Sequence, residues 1–124
     1  MAKILIVDDD RDIRFIVSMI LKRKGYVNVI EASSGMECLQ RIRETKPDLV
    51  ILDIMMPDMS GWEVCKKIKE TNPHLPVSML SVKSDEGDIR RSLEAGAERY
   101  LSKPINRDDI LRTVQDLGVI QTNN

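Results

Sequence analysis

Carboxylates at Asp8, Asp9, Asp10 and Asp53, a hydroxyl at Ser81 and an ammonium at Lys103 each stand at or just past the end of a short apolar run, in the stretches ILIVDDD, VILD, VSMLS and YLSKP. Two unit charges about 4 Å apart repel by about 4 kcal/mol at an effective dielectric near 20. Carboxylates brought together must therefore gain protons or hold a divalent cation. Their hard oxygen ligands suit Mg2+, with Mn2+ as a substitute. With a hydroxyl and an ammonium added, the set describes phosphoryl chemistry, in which positioning and charge compensation do most of the catalysis. Asp53, the acid nearest the middle, is the candidate nucleophile and would form an acyl phosphate. Two plainer readings stand beside this one: Asp9 and Asp10 as dipole-favoured caps of the first helix, and Lys103 as a structural counterion.

The elements that must bring these groups together are legible from periodicity. Short apolar runs alternate five times with segments whose apolar residues recur at three and four. The first run, Lys3 to Asp8, is followed by a stripe of Ile13, Ile16, Val17, Ile20 and Leu21, which Gly25 can close in a left-handed cap. Val27 to Ala32 is the second run; Ser33 or Ser34 can cap a helix carrying Met36, Leu39 and Ile42, which ends before Pro47. DLVILD is apolar without interruption between its two acids, as a strand buried on both faces requires. A helix from about Gly61 to Thr71 places Val64 and Ile68 inward, and Asn72-Pro73 breaks it. PVSML, ending at Ser81, is the fourth run; Ser84 is the expected cap of a helix through Ile89 and Leu93, with Gly96 past its end. Tyr100 to Ser102 is the fifth run, and Asn106 caps a last helix through Ile110, Leu111, Val114 and Leu117.

This alternation implies right-handed crossovers and a parallel sheet covered on both faces. Five units point to an α/β, flavodoxin-like doubly wound fold of strand order 2-1-3-4-5. In that order the first and third strands are neighbours, and ligands bind beyond their carboxyl ends, where Asp8, Asp9 and Asp53 would meet.

The 124 residues suit one domain, expected over residues 2–117 with a tail at 118–124 and no output domain. Nineteen basic and twenty acidic side chains leave a net charge of −1, so no global field draws the chain to nucleic acid or an anionic membrane. No run approaches the about eighteen apolar residues of a spanning helix, and no signal peptide is legible, so the expected location is cytoplasmic. Cys38 and Cys65 form no C-x-x-C pair and read as buried thiols. Phe15, Tyr26, Trp62 and Tyr100 are too few for a base-stacking platform.

The combination ILIVDDD, DLVILDIMMPDMSGWEV, PVSMLS and GAERYLSKPI, in this order and spacing, resembles the receiver domain of two-component response regulators from Ala2 to about Leu117. The resemblance implies a phosphoacceptor at Asp53, a metal-binding acidic pair at Asp8 and Asp9, and a Met55 backbone carbonyl on Mg2+. It implies a switch hydroxyl at Ser81, a phosphoryl-contacting Lys103, an aromatic at Tyr100 that changes rotamer with the switch, and a cis Lys103-Pro104 bond. The implied reaction takes a phosphoryl group from a phosphohistidine on a sensor histidine kinase or phosphotransfer protein. The chain would catalyse only its own phosphorylation and dephosphorylation, and so is not an enzyme on a separate substrate. Output would pass to a downstream protein through the fourth helix, fifth strand and fifth helix, where Arg90, Arg91, Glu94, Arg107, Asp108 and Arg112 are candidates, with homodimerisation on phosphorylation as a further option. Met55 and Lys83 occupy sites that in the family border the phosphoryl group; bulky Met55 cannot position a water, so self-dephosphorylation is expected to be slow. His74, between prolines in NPHLP, reads as an exposed loop residue. A phosphorelay intermediate and the N-terminal domain of a DNA-binding regulator would share all these features. A Mg2+-dependent aspartyl-phosphate phosphatase would need a second acid where Met55 stands and a cap domain, and a flavin module would need a phosphate-binding loop where the acids stand.

Overall fold

A computed structural model describes residues 2–82 and 85–117. The expected cap at Ser84, the site at Lys83 and the tail at 118–124 lie outside the described residues. Strands and helices alternate: β1 (Lys3–Val7), α1 (Arg11–Arg23), β2 (Asn28–Ala32), α2 (Gly35–Thr45), β3 (Leu49–Leu52), α3 (Gly61–Thr71), β4 (Val77–Ser81), α4 (Glu86–Glu94), β5 (Arg99–Ser102) and α5 (Arg107–Asp116). The sheet is parallel throughout, in the order β2-β1-β3-β4-β5, the flavodoxin-like order read from the alternation of runs.

Side chains of the central strands alternate between two cores, which is why the strands read as unbroken apolar runs. Leu5, Val7, Val50, Leu52, Val77 and Met79 pack with Cys38 of α2 and with Val64, Cys65 and Ile68 of α3. Ile4, Ile6, Leu49, Ile51, Leu80 and Leu101 pack with Val17 and Leu21 of α1 and with Ile110 and Val114 of α5. Burying each such aliphatic side chain contributes about 1.5–3 kcal/mol, so the two cores fix the relative height of β1 and β3 and with it the position of the residues that follow them.

The caps follow the sequence closely. Ser34 accepts from Glu37 N–H at the start of α2, and Asn106 accepts from Asp109 N–H at the start of α5. Gly25 takes the left-handed backbone expected after α1, at φ 104°, and Gly96, past the end of α4, takes the same φ of 104°. Asp85 caps α4, its side chain accepting from Asp88 N–H. Ile16, Met36 and Leu93, expected on the buried stripes, are exposed instead. Consecutive helical residues point about 100° apart, and in each case a residue one or two positions away takes the inward direction: Val17 in α1, Cys38 in α2 and Ser92 in α4. In α4 the reason is polar. Ser92 Oγ accepts from Trp62 Nε1 at 2.9 Å and donates to Asp88 O at 2.9 Å, so a satisfied hydroxyl occupies the place that Leu93 was expected to fill.

Candidate functional site

Val7 of β1 pairs with Leu52 of β3, so the next residue on each strand, Asp8 and Asp53, leaves the sheet side by side. Main-chain bonds carry the register one step further: Asp53 N–H donates to Val7 O at 2.9 Å and Asp8 N–H to Ala32 O at 3.1 Å. Asp8 and Asp53 are only 1% and 4% exposed, whereas Asp9 lies at the surface. One carboxylate oxygen from each of the three lies within 4.8 Å of the others, a set of hard donors that fits a small divalent cation. Asp10 takes the plainer role considered for it: it caps α1 by accepting from Asp12 N–H at 2.9 Å, while its own N–H donates to Asp8 Oδ1 at 2.9 Å. The acidic run is thus divided between a cluster and a helix cap.

Lys103 reaches the cluster from the far side of β4. Its Nζ lies 2.8 Å from Asp8 Oδ2 and 3.6 Å from Asp53 Oδ1. Its backbone N–H donates to Ser81 O at 3.0 Å, and the following Lys103-Pro104 bond is cis, as the resemblance implied. Burial alone would lower the Lys103 pKa; the two carboxylates outweigh it and hold the ammonium above its usual value. Asp53 is raised too, which for an acid disfavours the charged form. Burial first, then the Asp8 charge and to a lesser degree Asp9, push its carboxyl up to about 6, against the opposing pull of Lys103 and of a hydrogen bond from Met55 N–H. Such a carboxyl remains mostly ionised at neutral pH and is held close to an ammonium, an arrangement suited to nucleophilic attack on an electrophile of high negative charge.

Ser81, fully buried at the end of β4, stands beside Ser102 of β5. Tyr100, also on β5, packs against the core beneath α2 and α3, and its hydroxyl oxygen is buried. Burial and the charges of Asp88, Asp85 and Asp53 raise its pKa. The Met55 side chain is exposed. The structure therefore gathers Asp8, Asp9 and Asp53 into one cluster, with Lys103 against Asp8 and Asp53 and with Ser81 and Tyr100 on β4 and β5. His74 is exposed in the turn that precedes β4, at the opposite end of the sheet.

Several supporting residues escaped the sequence reading. Arg14 donates to Asp8 O at 2.7 Å and pairs with Glu31 at 3.0 Å, bracing the turn after β1. Trp62 is buried, and the Arg91 guanidinium lies 4.1 Å from its ring centre. Glu98 ties α3 to β4, pairing with Lys69 at 2.7 Å and accepting from Val77 N–H at 2.8 Å. Asp58 accepts from Gly35 N–H at 3.0 Å and from Met36 N–H at 2.9 Å. Two of these had a partial signal, since a buried indole N–H and the exposed first N–H groups of a helix both call for an acceptor.

Residues 4–115 match the family described as the response regulator receiver domain. The chain is 41% identical over 108 residues to the alkaline phosphatase synthesis transcriptional regulatory protein PhoP of Bacillus subtilis, a match covering 87% of this chain and 45% of PhoP. It is 34% identical over 113 residues to the DNA-binding response regulator MtrA of Mycobacterium tuberculosis, covering 91% and 49% respectively. The chain spans about half the length of the curated relatives it matches. Among solved structures, the chemotaxis protein CheY4 of Vibrio cholerae superposes with a TM-score of 0.89 at 34% identity, covering 94% of this chain and 98% of that one. The response regulator DrrB of Thermotoga maritima does so with a TM-score of 0.85 at 38% identity, covering 93% of this chain and 51% of that one. With its sheet order, its acidic cluster and these matches in agreement, the chain belongs to the receiver-domain family of two-component response regulators.

Proposed function

We propose that this chain is a phosphoacceptor switch in which Asp53 takes a phosphoryl group from a phosphohistidine on a histidine kinase or phosphotransfer protein. The observation that carries the reading is the contact of Lys103 with both Asp8 and Asp53 at the mouth of a three-carboxylate cluster. Asp8, Asp9, Asp53 and the Met55 carbonyl would hold Mg2+, or Mn2+ in its place, and the ion when bound would compensate the charge of the phosphoryl oxygens. A carboxylate oxygen of Asp53 attacks phosphorus in line; the new P–O bond forms as the P–N bond breaks, and the histidine, protonated on its other ring nitrogen, takes the P–N electron pair and leaves as neutral imidazole. Lys103, on its flexible stem, gives the incoming phosphoryl oxygens a cation already held at the acceptor. The Ser81 hydroxyl donates a hydrogen bond to them.

The switch follows from these contacts. Phosphoryl oxygens that draw in Ser81 and Lys103 bias an existing equilibrium in the segment between β4 and α4. Movement of Ser81 makes room for Tyr100, and the face formed by α4, β5 and α5 becomes the surface read by a downstream partner. That α4 buries only Ser92 among its own residues supports the reading, because an element held by few buried contacts shifts at low cost. Exposed Met55 has no group with which to orient a water, so the acyl phosphate should persist; a lifetime of seconds would contradict this. Transcriptional output is a second reading, favoured by the names of the curated relatives and by their greater length.

The direct test is incubation with acetyl phosphate followed by intact mass measurement. The wild-type chain with Mg2+ should gain one phosphoryl group, and Asp53→Asn, or wild type with a chelator, should gain none. Equal labelling of Asp53→Asn would overturn the assignment.

A further inference from the structure

We propose that Asp58 is a positioning residue for the metal and phosphoryl site, holding the loop Ile54–Ser60 in the shape that presents Met55 to Asp53; this rests on the phosphoacceptor reading above. The base of the loop is closed by main chain. Gly61 N–H donates to Ile54 O at 2.7 Å, and Gly61 packs so closely that an added Cβ would stand 2.3 Å from Asp53 O. Only glycine fits there.

The outer turn of the loop has a separate anchor. The two oxygens of Asp58 divide between two donors of the first turn of α2, Oδ1 taking Gly35 N–H at 3.0 Å and Oδ2 taking Met36 N–H at 2.9 Å. These N–H groups have no partner within their own helix, and a carboxylate suits them in charge as well as geometry. Desolvation alone would raise the Asp58 pKa. The N–H groups of Met36 and Gly35, with those of Asp58 itself and Met59, outweigh it and keep the carboxyl below its usual range. Beside it the Met59 side chain lies over Gly35, where a Cβ would come within 2.4 Å of Met59 Cγ. The loop tip is therefore seated on α2 by two charge-assisted hydrogen bonds and one close apolar contact.

Met55 hangs between these two anchors. It stands two residues after Asp53, and its carbonyl is the main-chain ligand proposed for Mg2+. Loss of the Asp58 contacts would leave the loop held at its base alone, so Met55 would sample other positions and the ligand set would be less well formed. Ser34 supplies a control. It caps the same helix by accepting from Glu37 N–H at 3.1 Å, within α2 itself, so its removal weakens the helix without cutting the tie to the loop.

Mg2+ binding to the purified chain, measured by titration calorimetry, tests the proposal. Asp58→Ala should bind Mg2+ about tenfold more weakly than wild type, the lower end of what loss of an outer-shell partner costs. Asp58→Asn, which keeps one acceptor oxygen, should fall between them and gives the same comparison if the alanine variant does not fold. Ser34→Ala should lose thermal stability yet keep wild-type Mg2+ affinity, and saturating Mg2+ should restore the acetyl phosphate labelling rate of Asp58→Ala. Wild-type affinity in the Asp58 variants, or an equal loss in Ser34→Ala, would overturn the positioning role. Absence of Mg2+ uptake by wild type would instead overturn the metal reading on which it rests.

Discussion

Replacing Asp53 by Asn is expected to stabilise the metal-free fold at pH 7.5, although it removes the proposed acceptor. Burial and the Asp8 charge hold the Asp53 carboxyl at about 6, against an ordinary value of 3.8. The folded chain thus binds this proton more tightly than the unfolded chain does. The stability it contributes is fully present below the unfolded pKa, declines as pH rises from about 4, and is lost above about 6. A shift of about two pKa units corresponds to about 3 kcal/mol. Solvent beside exposed Asp9 screens part of the repulsion, which leaves about 1–2 kcal/mol. For a domain of this size that gain should raise the Tm of Asp53→Asn by about 4–8 °C. Differential scanning calorimetry in chelator at pH 7.5 and pH 4 is the assay, and the gain should shrink several-fold at the lower pH. Mg2+ at about 100 times its Kd should add about 2.7 kcal/mol to wild type, more than the gap, and make it the more stable of the two. A variant no more stable than wild type at pH 7.5, or equally stabilised at both pH values, would refute the reasoning.

Lys103→Met should act in the opposite direction, costing about 2–3 kcal/mol in urea unfolding at pH 7.5 because the buried Asp8 carboxylate loses its 2.8 Å countercharge; an unchanged midpoint would contradict the pairing. Ser92→Ala leaves the buried Trp62 Nε1–H without the acceptor now 2.9 Å away, and should cost about 1–3 kcal/mol by the same measurement. Burial pushes the Cys38 thiol up to about 12 and the Cys65 thiol up to about 11. Both should therefore resist a disulfide reagent at pH 8 in the native chain and react on addition of denaturant; fast native reaction would show that one is accessible.

The strand order was legible because Leu49–Leu52 has no polar residue, which only a central strand between two helical layers tolerates. The meeting of Asp8 with Asp53 then followed from topology alone, since neighbours in register carry their next residues to the same end of the sheet. Caps at Ser34 and Asn106 were legible because a side-chain acceptor stands just before each apolar stripe. Asp58 was not, because its partners are main-chain N–H groups, which no residue type marks, and an exposed acid in a turn looks like any solvated charge. Ser92 was hidden for a related reason. Its inward direction depends on Trp62, 30 positions away, and a leucine beside it was the better apolar candidate. Glu98 likewise declares itself only when the fold brings Lys69 and Val77 N–H to it.

The central claim is that Asp53 itself becomes the acyl phosphate. Borohydride reduces an aspartyl phosphate to homoserine, so treatment of the acetyl-phosphate-labelled chain with borohydride, followed by peptide mass mapping, reads the modified position directly. Homoserine at position 53, dependent on Mg2+, is the expected result. Reduction at any other aspartate, or labelling that survives borohydride with position 53 unchanged, would contradict it.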